Sequence, residues 1–160
     1  KEKYVLGLEM GVQMQFLTFL GGSAYKLGYN DEAFSYFEEL ILLDPNNWPI
    51  MNNYSYYLSL EELNLERAEE LSYKTILAEP ESSVYLDTYG WILYKLKRND
   101  EAIKYLEKAT KLSDDPDVLF HYAEVLFDNN MLEEACLYYK KALEAGFDQE
   151  QIKAKNSLCQ

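Results

Sequence analysis

The chain repeats itself, and the repeat limits what it can fold into. An alanine recurs at Ala33, Ala68, Ala102 and Ala135, with gaps of 35, 34 and 33 residues. A small residue recurs at Gly21, Ser55, Gly90 and Ala123, with gaps of 34, 35 and 33. Self-similarity at this period, with helical spacing inside each repeat, marks a stacked array of helix pairs. One such repeat cannot bury its apolar face alone, so the repeats must stack, which leaves a long wall free. That wall points first to an interaction scaffold rather than an enzyme.

The apolar spacing inside the repeats is helical. First helices carry Leu17, Leu20, Gly21, Ala24; Met51, Tyr54, Ser55, Leu58; Leu86, Tyr89, Gly90, Leu93; and Leu119, Tyr122, Ala123, Leu126. Each set falls at i, i+3, i+4, i+7, one helix face, and its small third member lets the paired helix approach closely. Second helices carry Ala33, Phe37, Leu40; Ala102, Leu106, Ala109; and Ala135, Tyr139, Ala142. Repeat two departs, with Ser72 and Thr75 at the matching places and Leu71 and Ile76 beside them. Asp44-Pro45-Asn46-Asn47, Glu79-Pro80-Glu81-Ser82 and Ser113-Asp114-Asp115-Pro116 separate the repeats. Proline ends a helix, and Asn, Ser and Asp cap the next.

The expected helix pairs are 14–27 with 31–43, 48–60 with 64–78, 83–96 with 100–112, and 117–129 with 133–145, followed by a cap near 148–158. The repeats are 14–47, 48–82, 83–115 and 116–147. The extra residue of repeat two is placed in its internal turn. Residues 1–10 are read as the remnant of a preceding repeat, a helix tail packed on the first helix of repeat one. Together with Lys1 at the start, this suggests a piece of a longer protein.

Charge narrows the partners. The net charge is −13. That repels nucleic acid and anionic lipid and favours a neutral or basic partner. Residues 83–115 balance at 6 acids and 6 bases, inside repeats that are each acidic. No run of eighteen apolar residues exists to span a membrane. The two cysteines, Cys136 and Cys159, are too few for a disulfide framework and are read as free thiols. No metal-ligand spacing or phosphate loop is present, so no cofactor is expected; Gly21-Gly22 is assigned to close packing inside a helix.

Leu86, Tyr89, Gly90, Tyr94, Ala102, Tyr105 and Ala109 of repeat three resemble the tetratricopeptide repeat, and the resemblance extends over about residues 14–146. Asn52-Asn53-Tyr54 and the stretch Tyr85–Tyr94 are similar to a subgroup of large bacterial members. The resemblance implies an all-α, right-handed superhelical solenoid of about four helix-turn-helix units plus a C-terminal capping helix. It also implies protein binding as a class, and it favours the periplasmic side of a bacterial envelope slightly over the cytoplasm.

One step round each first helix from the core face lies a second stripe, which lines the concave groove in such arrays. It places Tyr25, Asn52, Tyr56, Asp87, Trp91, Tyr94, Phe120, Glu124 and Phe127 there as partner-binding candidates. Large flat side chains with few rotors dominate binding hot spots; the alternative is that they pack between adjacent first helices. Some family members clamp a peptide carboxylate with Lys, Arg and Asn. Here Asp87 and Glu124 occupy the middle of the stripe, so an uncharged or basic segment is expected instead. His121, beside Glu124, is read as a half-buried packing residue rather than a base. The leading function is a protein-interaction scaffold; the alternative is a structural spacer or self-associating module.

Overall fold

The computed structural model describes residues 2–156 and 159. Among the described residues the chain is all-α, with nine helices and no strand. They are α1 (Glu2–Lys26), α2 (Asn30–Leu43), α3 (Trp48–Leu60), α4 (Leu65–Ala78), α5 (Ser83–Lys95), α6 (Asn99–Leu112), α7 (Pro116–Asp128), α8 (Leu132–Glu144) and α9 (Gln149–Asn156). The chain forms two compact units, one running to Tyr54 and the other starting at Ser55.

In the first unit α1 packs on α2. Its core holds Leu17, Ala33, Phe37, Leu40, Ile50, Met51 and Tyr54. A Cβ on Gly21 would lie 3.0 Å from the Phe37 ring, so the second helix does pass close over this glycine. Gly22 has nothing within 4 Å and serves no packing in the chain. The helix tail expected over 1–10 is not a separate element, because α1 runs unbroken from Glu2 to Lys26. A lone glycine costs a helix about 1 kcal/mol but does not end it, and neither proline nor a capping residue stands between Met10 and Met14. How the side chains of residues 1–8 pack lies outside the described residues.

The second unit repeats one packing scheme. α5 packs on α6 and α7 on α8, while α4 also meets α5, and α6 also meets α7. Ala123 is fully buried, and a Cβ on Gly90 would fall 2.7 Å from Leu106 Cγ. Tyr89 meets Tyr105 edge-on at 4.8 Å, and Tyr122 meets Tyr138 in the same way at 4.7 Å. On α4, Ser72 and Thr75 are buried along with Leu71 and Ile76, so the helix does not rotate its polar pair outward. Thr75 Oγ1 donates to the Ser72 carbonyl, while Ser72 Oγ has no partner.

The punctuation works as read. Asn47 Oδ1 accepts from Ile50 N, Ser82 Oγ from Tyr85 N and Asp115 Oδ1 from Asp117 N, each satisfying a donor at a helix start. Within the helix pairs the turns span 27–29, 96–98 and 129–131, against 61–64 in repeat two, where the extra residue sits. Each turn holds a residue of positive φ at the same repeat position, Gly28 (80°), Glu62 (52°), Lys97 (64°) and Asn130 (61°), and the longer turn of repeat two holds a second, Asn64 (44°). The next amide reaches back to a carbonyl five residues earlier, as in Leu63 N to Leu58 O and Arg98 N to Leu93 O at 3.0 and 2.9 Å. This is the Schellman closure, which a left-handed residue makes possible.

The cysteines are not free. Cys136 on α8 is bonded to Cys159, with Cα atoms 5.4 Å apart. Their count carried no hint of pairing, since the contact depends on α9 folding back along the end of the array.

Candidate functional site

The second unit gathers seven of the nine candidate residues. Tyr56 comes from the end of α3; Asp87, Trp91 and Tyr94 from α5; and Phe120, Glu124 and Phe127 from α7. α5 and α7 pack directly on each other. They are successive first helices, so residues one period apart face one another. Tyr25 and Asn52 belong to the first unit, where Tyr25 is half-buried 6.3 Å from Phe34 and Asn52 is buried.

A polar layer lies at the base of the seven. The His121 ring sits 4.2 Å from the Trp91 ring and nearly parallel to it, at 24°. His121 Nδ1 is 2.9 Å from Asp87 Oδ2, and Nε2 is 3.5 Å from the Tyr56 hydroxyl. The carboxylate assigns the ring proton to Nδ1, which leaves Nε2 to accept from Tyr56. Asp87, Trp91 and His121 are 7%, 7% and 5% exposed. The expectation that Trp91 faces a partner is therefore not met, because its ring is spent on packing. Trp91 Nε1–H is buried without an acceptor.

On the same helices, other side chains of the stripe keep partial exposure: Tyr56, Tyr94, Phe120, Glu124 and Phe127. Tyr94 donates to the Asp128 carboxylate in a short hydrogen bond. Tyr139 donates to Glu124 Oε1 at 2.6 Å, and Lys155 Nζ donates to Glu124 Oε2 at 2.6 Å. Phe147 stacks on Phe120 at 4.2 Å. Lys95, the one cation on the α5 stretch of this face, is paired with Glu62 at 2.9 Å and lies 5.2 Å from the Trp91 centroid.

Electrostatics keep these groups neutral donors. Burial, with Asp87 next, pushes the Tyr56 phenol up to about 12. Burial and the Asp128 hydrogen bond raise Tyr94, and burial and the Glu124 hydrogen bond raise Tyr139. The Asp87–His121–Tyr56 chain links side chains of α3, α5 and α7. No group of three or more His, Cys, Asp or Glu suited to a metal occurs among the described residues. No helix among them is long and apolar enough to cross a membrane.

The fold defines a helical-repeat protein of the protein-interaction class. Two tetratricopeptide-repeat family models match the chain, over residues 15–47 and 89–149, and the chain belongs to the tetratricopeptide-repeat family. Solved structures agree on the fold. The structure titled for PilF of Pseudomonas aeruginosa aligns at TM-score 0.79 and 19% identity, covering 94% of this chain and 69% of that one. A thermophilic tetratricopeptide protein of Thermus thermophilus, TTC0263, aligns at TM-score 0.75 and 20% identity, covering 91% and 80%. MamA of Desulfovibrio magneticus aligns at TM-score 0.70 and 17% identity, covering 82% and 75%. No curated protein sequence matches significantly.

Proposed function

We propose that the chain is a non-catalytic interaction scaffold whose partner docks on the face of the second unit formed by Tyr56, Tyr94, Phe120, Glu124 and Phe127. One observation carries the reading: these side chains stay partly exposed on the same helices whose Asp87, His121 and Trp91 are buried, His121 hydrogen-bonded to Asp87 and stacked on Trp91. A rigid base beside half-exposed aromatics is what a docking surface needs, since little freedom remains to be lost on binding. Asp128 is exposed beside the face, and the chain carries −13 overall. The partner segment is therefore neutral or basic, and acidic segments and nucleic acid are repelled.

Panning a displayed random-peptide library against the chain tests this. Enriched peptides should be uncharged or basic, and should bind Tyr56→Ala and Phe127→Ala about tenfold more weakly or worse. They should bind the remote control Lys74→Ala unchanged. Enrichment of acidic peptides, or binding indifferent to both variants, would overturn the reading.

A second reading, a self-associating or spacer module, is favoured by α1. Val12, Phe16 and Phe19 fall on one helical face and are 65%, 61% and 68% exposed. An apolar strip this open marks an interaction surface. Sedimentation of the parent against Phe16→Ser/Phe19→Ser decides it: an oligomer lost in the variant supports self-association, and a monomer in both rules it out.

A further inference from the structure

The docking face already has an occupant at one end, supplied by the chain itself. α9 has eight residues, too few to hold helical form without tertiary contacts. It is held from three sides. Ile152 is fully buried. Lys155 Nζ sits 2.6 Å from Glu124 Oε2 and 5.0 Å from the Phe127 ring centroid. Phe147, just before the helix, lies flat on Phe120, with 15° between the rings. Glu124, Phe127 and Phe120 are three of the five residues assigned to partner docking. The segment is tied down by the Cys136–Cys159 disulfide, and both cysteines are half-buried rather than sealed in the core.

We infer that α9 is a disulfide-latched cover on the docking face, and that its reduction bares a site for a helical segment carrying an apolar residue three positions before a lysine. The inference rests on the docking face proposed above and names its control and its ligand chemistry. The site left behind would consist of the apolar socket of Ile152 and the Glu124 carboxylate, still oriented by Tyr139, between the rings of Phe120 and Phe127. That combination accepts an aliphatic side chain and a lysine on one helix face, since i and i+3 lie side by side. A lysine also gains from the ring faces as well as from the carboxylate. The opening step balances with a dithiol reductant. One of its sulfurs attacks the disulfide and its second sulfur completes the exchange. The Cys136–Cys159 bond takes up two electrons and two protons to give two thiols, and the reductant closes to a cyclic disulfide.

Hydrogen exchange read by mass spectrometry tests the latch. On treatment with dithiothreitol, and in Cys136→Ser, amides of 149–156 should exchange about tenfold faster or more, while those of α7 stay protected. Unchanged exchange after reduction verified by mass would overturn the latch. Binding of a synthetic peptide copying residues 147–156 tests the site. A released α9 stays tethered and competes at a local concentration of order mM, so Cys136→Ser/Ile152→Asp is used, in which α9 cannot reseat. The peptide should bind this variant about tenfold more tightly than it binds the oxidised parent, and adding Glu124→Gln should remove most of that gain. Equal binding to both forms would overturn the cover. Fast exchange in the reduced chain with no peptide binding to any form would leave the latch standing and bring down the docking face.

Discussion

At the scale of single residues, two backbone demands recur and set opposite substitutions. Gly90 is required by contact: a methyl there would sit 2.7 Å from Leu106 Cγ, and Leu106 is fully buried. Gly90→Ala should lower stability by about 1–3 kcal/mol through overpacking, and an unchanged urea midpoint would mean that α6 has room to move. Lys97 is the reverse case, a long side chain held at φ 64° where repeat one has Gly28. Lys97→Gly should raise stability by about 1 kcal/mol, since only glycine takes that conformation without strain. Tyr56 and Tyr89 carry a pH consequence, as both phenols are pushed up to about 12, by burial first. The folded chain then holds these protons more tightly than the unfolded chain, whose phenols titrate near 10. Stability is intact below about pH 10 and falls as pH climbs toward 12; chemical denaturation across that window should show the decline, weakened in Tyr56→Phe. The residue pairs that build the site were partly legible in the sequence. Asp87 and His121 are 34 residues apart, as are Tyr94 and Asp128, so each pair sits one repeat apart on facing first helices. Reading His121 against its chain neighbour Glu124 missed this, because partners in a repeat array lie a period away rather than a turn away.

At the scale of elements, the caps, turns and paired helices followed from local chemistry, and the expected spans of α2 to α9 lie within about two residues of those found. The departures have physical causes. α1 runs through Gly11, which stands 34 residues before Pro45, because a glycine with no neighbour within 4 Å and no cap beside it does not break a helix. Gly11→Ala and Gly22→Ala should each raise stability by about 0.5–1 kcal/mol, as expected for part-exposed helix-interior glycines whose added methyl meets no neighbour. A loss at Gly11 would mean that the helix is interrupted there. The disulfide was illegible for a different reason. Cys136 and Cys159 are 23 residues apart, and only the return of α9 across α7 and α8 brings them together, a tertiary fact that periodicity does not encode.

At the scale of the whole molecule, the repeat explains both the abundance of tyrosine and the division of the second stripe. Some aromatics close helix pairs, as Tyr89 and Tyr122 do against Tyr105 and Tyr138. Others, Trp91 above all, stack beneath the face, and a third set remains part-exposed at its surface. Periodicity distinguishes the core stripe from its neighbour but cannot say how deeply each neighbour sinks, which depends on the partner one repeat away. The central claim is that the part-exposed set of the second unit is where a partner docks. Its most direct test is amide chemical-shift mapping with a peptide selected against the chain. The largest changes should fall around Tyr56, Tyr94, Phe120 and Phe127, with α1 unmoved. Changes centred instead on Val12, Phe16 and Phe19 of α1, with α5 and α7 silent, would contradict it.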